Sequence, residues 1–246
     1  MPERPQWQAR QLHLDNAELV RLLRLFIEQG IEQLRLTGGE PLLRPDLVPL
    51  LEDLQALRPL GLQRISMTSN ASRLAPQAKA LAAAGLDDLN ISLDCLDPAL
   101  FQRLTGQPIA PVLTGIEAAR AAGLSVKINT VLVRGYNETS ILPLLDWAMR
   151  EALELRFIEY MPLDAPGRWQ PESVFTEDEL IAQIATSHQI QRLPRHSDPA
   201  TPWQVDGYYR LGVISTVSKP FCASCDRLRI TADGTLYTCL FSAQGT

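Results

Sequence analysis

The 246-residue sequence holds only four cysteines, too few and too unevenly placed for a disulfide framework. Cys95 stands alone, whereas Cys222, Cys225 and Cys239 gather near the C-terminus as a C-x2-C followed by a third thiol. In a reducing compartment that spacing reads as a metal or iron–sulfur site. No apolar run reaches the roughly 18 residues that span a bilayer, and no charged-then-apolar leader opens the chain. The expected location is therefore cytoplasmic, without a membrane partner. Positive charge is in deficit, 23 Lys and Arg against 28 Asp and Glu, for a net −5. That balance excludes the broad basic footprint of a non-specific nucleic-acid binder and makes any phosphate binding local. Low-complexity segments and solenoid repeats are also missing. What remains is ordinary globular composition, 46% hydrophobic and 21% charged, in a length that suits one or two domains.

From residue 15 to about 160 one theme recurs. A helix-patterned stretch is closed by Gly, and a short strand-like run follows. The closures are Gly30-Ile31, Gly61-Leu62, Gly85-Leu86 and Gly123-Leu124, each placed where a helix end wants a left-handed residue. The runs are Gln33 to Thr37, Gln63 to Ser69, Asp88 to Leu93 and Ser125 to Val133, with a fifth, Leu153 to Met161, after a helix near Ile141 to Met149. Asp15 and Glu18 have capping-box spacing before a helix with Leu19, Leu22, Leu23, Phe26 and Ile27 on one side. Such alternation implies βαβ units and a parallel sheet.

Strand parity separates an open sheet from a barrel with an equipped interior. One parity carries Arg35 and Thr37, Ser66, Thr68 and Asn70, Asn90, Ser92 and Asp94, Lys127 and Asn129, and Arg156. The other carries Leu34 and Leu36, Ile65 and Met67, Ile91 and Leu93, Val126 and Ile128, Leu155 and Phe157. Strands apolar on one face and polar on the other fit a barrel packed by helices outside and lining a wet cavity inside. Arg35, Lys127 and Arg156 lie within strands, where charges need partners. The pattern changes after Met161, where the barrel is expected to end. Residues 163–246 then form a second region, in which Asp233-Gly234 sets up a hairpin between Arg229-Ile230 and Leu236-Tyr237. That hairpin would return Cys239 toward Cys222 and Cys225.

At the end of the first strand, Thr37-Gly38-Gly39-Glu40-Pro41 puts two glycines and a carboxylate where parallel α/β folds place their sites. Glu40 suits an ammonium there. With Leu42-Leu43-Arg44 the string resembles radical S-adenosylmethionine enzymes. Thr68-Ser-Asn70, Asn90-Ile-Ser-Leu-Asp94, Lys127-Ile-Asn-Thr-Val131, Leu155-Arg-Phe-Ile-Glu-Tyr-Met-Pro162, Pro220-Phe-Cys-Ala-Ser-Cys-Asp-Arg-Leu-Arg229 and Tyr237-Thr-Cys-Leu-Phe241 follow in order. Together they resemble GTP 3′,8-cyclase, the MoaA family of molybdenum-cofactor biosynthesis, over nearly the whole chain.

The resemblance implies an α/β fold, a partial six-stranded (β/α) TIM-like barrel of the radical S-adenosylmethionine type over residues 1–162, with its first strand missing. Residues 163–246 would be a C-terminal iron–sulfur and GTP-binding region. Gly38, Gly39, Glu40, Ser92 and Met161 would meet S-adenosylmethionine. Arg35, Thr68, Lys127, Arg156, Arg227, Leu228 and Arg229 would meet GTP. Cys222, Cys225 and Cys239 would hold a [4Fe–4S] cluster with one open iron. The reaction implied is radical cyclisation of GTP to (8S)-3′,8-cyclo-7,8-dihydroguanosine 5′-triphosphate, a lyase step that asks no residue to act as acid or base. An electron donor, the downstream cyclic pyranopterin monophosphate synthase and a second copy in a homodimer are the implied partners.

Three departures from the family pattern stand out. Ala71 replaces the usual Gly after Asn70, and Cys95 replaces a usual Thr or Ser and reads as a small buried residue. The third is the missing N-terminal C-x3-C-x2-C, the motif that binds a second [4Fe–4S] cluster and reduces S-adenosylmethionine. The chain is therefore expected to be a fragment that is inactive alone, with the strand at Leu34 left as an open edge. The alternatives are a degenerate paralogue that binds nucleotide and a C-terminal metal, another radical enzyme of the same fold such as a peptide-maturation member, and a structural zinc with His188 or His196 as fourth ligand.

Overall fold

The computed structural model describes residues 10–163, 169–195, 198–242 and 244–245. Helix α1 spans Asn16–Glu28 and strand β1 Gln33–Leu36, then come α2 (Leu47–Leu54), β2 (Arg64–Ser69), α3 (Ala78–Ala83) and β3 (Asp88–Ser92). Next are α4 (Pro98–Thr105), α5 (Ala110–Ala121), β4 (Ser125–Leu132), α6 (Ile141–Arg150), β5 (Glu154–Glu159) and α7 (Glu177–Ile184). Strands β6 (Ile190–Arg192), β7 (Thr201–Val205), β8 (Tyr209–Ile214), β9 (Arg229–Ile230) and β10 (Leu236–Tyr237) complete the order. The chain forms two compact units, interleaved in sequence. Among the described residues one holds 10–91, 110–126 and 226–245, and the other 92–109 and 127–225.

In the first unit β1, β2 and β3 run parallel, Leu34 opposite Ile65, Met67 opposite Leu89 and Thr68 opposite Asn90. The capping box at α1 forms as the sequence implies. Asp15 Oδ1 accepts from the Glu18 N–H at 2.8 Å, and Glu18 Oε2 accepts from the Asp15 N–H at 2.9 Å. The core is Leu51, Leu54, Leu57, Ile65, Met67, Leu81, Leu89 and Ile91, all fully buried. Close packing of α5 on the turn after β2 explains Gly115, where a Cβ would stand 2.5 Å from the Ala71 carbonyl oxygen. Ala71 itself has φ +58, the left-handed conformation that costs a residue with a Cβ roughly 1–2 kcal/mol. The β9–β10 hairpin pairs Leu236 with Ile230 and Tyr237 with Arg229, and its turn glycine, Gly234, has φ +86. Here the Ala232 carbonyl accepts from the Leu14 N–H at 2.8 Å, tying the hairpin to the segment before α1.

In the second unit β4 and β5 are parallel, with Lys127 opposite Glu154 and Asn129 opposite Arg156. Strand β8 runs parallel beside the other side of β5, and β7 and β6 extend the sheet antiparallel. Beyond Met161, then, the chain rebuilds sheet, and sequence periodicity did not reveal β6 or β7. Strand β6 is three residues long, and β7 contains Pro202, so neither offers an alternating run to read. Phe157, Leu155, Ile128, Leu144, Leu145 and Leu211 fill the core between this sheet and its helices. The polar parity holds in part: Thr68, Lys127 and Asn129 are half-buried beside the fully buried Met67 and Ile128, whereas Ser66, Asn90 and Arg156 are buried on the polar side and Arg35 is exposed.

Candidate functional site

In the first unit the turn after β1 is held by Glu40. Its Oε1 accepts from the Leu42 N–H at 3.1 Å and the Ser69 hydroxyl at 2.7 Å, and its Oε2 accepts from the Asn70 N–H at 2.8 Å. Of the roughly four acceptor positions of a carboxylate, three are thus used to fasten the Gly38-Gly39-Glu40 turn to the end of β2. Gly38 and Gly39 are exposed on that turn. Arg35 donates through Nε to Ser66 Oγ at 3.2 Å, and Arg64 pairs with the buried Asp88 at 2.5 Å. Further along the same polar row, Thr68 is half-buried and Asn90 is 1% exposed. Neither carboxamide atom of Asn90 has a hydrogen-bond partner among the described residues. Sequence reading had registered this buried amide only as one more polar residue. Arg227 and Arg229 are half-buried around the exposed Leu228. One guanidinium nitrogen of Arg229, Nη1, is buried without a partner among the described residues. Cys239 lies just past β10, exposed, and its Sγ accepts from the Phe241 N–H at 3.5 Å.

In the second unit Lys127 and Arg156 share one carboxylate. Arg156 is 7% exposed and donates through Nε to Glu154 Oε1 at 2.7 Å, and Lys127 Nζ is 3.5 Å from Glu154 Oε2. Arg156 also reaches Asp198 at 3.4 Å. The stem of Arg156 lies against Gly212, where a Cβ would come within 2.9 Å of its Cγ. The partners that these in-strand cations need are therefore supplied by Glu154 and Asp198. Ser92 is exposed at the end of β3, and Met161 is half-buried two residues past β5. Asp94 accepts from the Val131 N–H at 2.9 Å, yet burial outweighs that bond and pushes its carboxyl up to about 6. Burial, with Asp94 and Asp97 nearby, pushes the Cys95 thiol up to about 11, as suits an inert core thiol.

Cys222 opens a single 3₁₀ turn, Cys222–Ser224, whose carbonyl accepts from the Cys225 N–H at 3.2 Å. Cys222, Cys225 and Cys239 are all free and exposed. Free thiols outside any disulfide are the donor chemistry that an iron–sulfur cluster takes, and Cys222 and Cys225 offer two of them from one turn. Among the described residues no group of three or more His, Cys, Asp or Glu is gathered to hold a metal ion. His188 is unsuited to the zinc alternative, because Nδ1 is 2.7 Å from Asp206 and Nε2 is 3.0 Å from Asp146. Both ring nitrogens are engaged. His196 lies outside the described residues.

Two family models match: the Radical SAM superfamily over residues 4–148 and Molybdenum Cofactor Synthesis C over residues 153–246. A GTP 3′,8-cyclase of Streptomyces coelicolor is 45% identical, covering 100% of this chain and 74% of its own length. One from Xanthomonas axonopodis pv. citri is 42% identical over 96% of this chain and 72% of its own. The chain belongs to the GTP 3′,8-cyclase family. Its sequence spans about three quarters of the length of these cyclases, and membership brings with it a [4Fe–4S] cluster and S-adenosylmethionine as the cofactors of the superfamily. Among solved structures, Streptococcus suis SuiB bound to precursor peptide SuiA superposes with TM-score 0.59 at 20% identity, covering 74% of this chain and 40% of that one. HydG, a maturase of the [FeFe]-hydrogenase, gives 0.53 at 14% identity over 74% and 43%. At these identities the likeness is one of fold, and it places the cyclase-family chain in the α/β architecture of radical S-adenosylmethionine proteins. Among the described residues no helix is long and apolar enough to cross a membrane.

Proposed function

We propose that this chain serves the cyclisation of GTP to (8S)-3′,8-cyclo-7,8-dihydroguanosine 5′-triphosphate, the step that opens molybdenum cofactor biosynthesis. The observation that carries the reading is the polar parity of the parallel strands, which presents Arg35, Thr68 and Asn90 in one unit and Lys127 and Arg156 in the other. We read residues 1–162 as the part derived from the barrel and 163–246 as the part that completes the nucleotide site and carries the C-terminal cluster. Cys222, Cys225 and Cys239 would be that cluster's ligands. When bound, S-adenosylmethionine with its reducing cluster supplies hydrogen-atom abstraction, and the C-terminal cluster supplies an open iron position for the purine.

The chain's own residues bind and orient. Gly38 and Gly39 let the backbone approach S-adenosylmethionine closely, Glu40 offers its remaining acceptor position to the methionyl ammonium, and Ser92 and Met161 complete that contact. Arg35, Lys127, Arg156, Arg227 and Arg229 neutralise the triphosphate and hold the guanine, with Thr68 and Leu228 beside them. Orientation and exclusion of water, rather than proton transfer, are the protein's contribution. Free thiols suit a reducing compartment, which supports reading the protein as cytoplasmic. There it would meet an electron donor, a second copy of itself and the synthase that consumes the cyclised product.

Binding is the direct readout, since the sequence contains no C-x3-C-x2-C. The chain is reconstituted anaerobically with iron and sulfide and titrated calorimetrically with GTP and with ATP. We expect one [4Fe–4S] cluster per chain, lost when Cys222, Cys225 or Cys239 is replaced, and preferential binding of GTP that Arg227→Ala and Arg229→Ala abolish. Equal affinity for ATP, or zinc taken up in place of iron and sulfide, would overturn the reading.

A further inference from the structure

Two residues past the apolar pair Leu155 and Phe157, the same face of β5 ends in a charge, Glu159, which is 2% exposed. Its carboxylate is fully used. Oε2 accepts from the Val217 N–H and the Ser218 N–H, both at 2.8 Å, and Oε1 accepts from the Ser218 hydroxyl and, at 3.0 Å, from the Glu177 N–H. Two successive backbone N–H groups make a concavity for an anion, and the Glu177 N–H is the first of α7, where the helix dipole also favours negative charge. Glu177, 1% exposed, adds a bond from the Ser215 hydroxyl to its own Oε2. These bonds pin residues 215–218, and Cys222 follows four residues later.

The other flank of that short connection is pinned as well. The Arg195 guanidinium lies over the Phe221 ring, with Cζ 5.0 Å from the ring centroid, and Arg195 Nε is held by the Asp198 carbonyl at 2.9 Å. Between the anchors stand only Lys219, whose Nζ is 2.6 Å from Asp178, and Pro220, with its fixed φ. The Cys222–Cys225 turn is thus hung from an anion on Val217 and Ser218 and a cation on Phe221.

The geometry points to Glu159 and Arg195 as positioning residues for the first two thiolates of the C-terminal cluster. This inference rests on the proposed cluster. A ligand turn that must present two sulfurs at fixed spacing gains from being set before the metal arrives, because less of the binding free energy goes into ordering it. Glu159→Gln replaces one acceptor oxygen by an N–H2 facing N–H donors, while Arg195→Leu removes the cation from the ring and leaves the carboxylate anchor intact.

The test compares wild type, Glu159→Gln, Arg195→Leu and Arg195→Lys after anaerobic reconstitution. Two properties are read: cluster lifetime under EDTA challenge and the electron paramagnetic resonance spectrum after reduction. We expect Glu159→Gln and Arg195→Leu each to shorten the lifetime about tenfold or more and to shift the spectrum, since partners that orient metal ligands are typically worth that much. Arg195→Lys, which keeps a cation at the ring, should recover most of the loss. Should Glu159→Gln fail to fold, the two Arg195 variants decide on their own. Wild-type lifetime and spectrum in Arg195→Leu would overturn the inference while leaving the cluster in place. A wild-type chain that takes up no [4Fe–4S] cluster would instead overturn the functional reading, and this inference with it.

Discussion

Arg156 is bonded to Glu154 two residues before it on the same face of β5, with Nε and Nη2 both contacting Oε1 at 2.7 Å. The pair sets the electrostatics of the second unit's polar face. Lys127 stands on the other carboxylate oxygen at 3.5 Å, so the two cations expected to hold phosphate are partly neutralised until a stronger anion arrives.

Glu154→Gln should therefore tighten triphosphate binding. The amide oxygen can still accept from Arg156, but the variant no longer repels the ligand or competes for Lys127. An effect of about 1 kcal/mol, or roughly fivefold in Kd, is the scale of one screened unit charge. Calorimetric titration at two salt concentrations checks it, with the gain larger at low salt. Unchanged or weaker binding would mean that Glu154 only orients the cations, or that they do not meet phosphate.

At the turn after β2, Ala71 occupies a left-handed conformation while its carbonyl leaves no room for a Cβ at Gly115. Gly115→Ala should cost about 1–3 kcal/mol, a loss of several degrees in unfolding temperature, because the clash at 2.5 Å is with backbone. Ala71→Gly should be neutral to stabilising within about 1 kcal/mol, since relief of the strained φ is set against a more flexible unfolded chain. Thermal melts of the two variants, read against wild type, should move in different directions or by clearly different amounts.

The serial helix, glycine and strand order was legible because each element announces itself locally. Gly30, Gly61, Gly85 and Gly123 all have positive φ, and the capping box at Asp15 and the hairpin at Gly234 form where their residues promised. Parity also showed which strand residues share a polar row. It could not show what those residues touch. Glu154 lay unremarked inside the run Leu153 to Met161, and only register placed it beside Lys127. Glu159 read as one letter of a motif, because its partners Glu177, Val217 and Ser218 lie 18 to 59 residues away in sequence. Strands β6 and β7 were hidden for a different reason, the first being three residues long and the second carrying Pro202, so neither offers an alternating run.

His188 gives the fold a pH dependence of definite sign. The hydrogen bond to Asp206, aided by both neighbouring carboxylates, raises its pKa above the ordinary 6.5 despite partial burial. The protonated form is thus favoured in the folded chain. Its stabilisation is complete below about 6.5 and is lost as pH rises through the higher folded value. Wild type should lose unfolding temperature between mildly acidic and alkaline pH more steeply than His188→Gln, in which the charge is absent throughout. Parallel curves would show that Asp206 and Asp146 do not bind the imidazolium in solution. A second window lies in acid. Backbone and hydroxyl bonds from Thr176, with the Arg134 guanidinium, pull Glu179 down to about 2, so its contribution is present above about 4.5 and fades toward that lower value.

Asn90 separates stability from binding. Its carboxamide is buried beside Thr68 with oxygen and nitrogen both lacking a partner among the described residues, a condition that costs about 1–3 kcal/mol. Asn90→Leu is of similar volume and removes the unpaired groups, so the ligand-free chain should become more stable by about 1–2 kcal/mol, or roughly 2–8 °C in unfolding temperature. The same variant should bind GTP or S-adenosylmethionine more weakly, because an amide left open in the free chain is held in reserve for a bound polar group. Melting curves without ligand and calorimetric titrations with each compound read the two effects separately. A lower unfolding temperature in Asn90→Leu would mean that the amide already has a partner, such as a buried water, and would remove the reason to place it at the ligand.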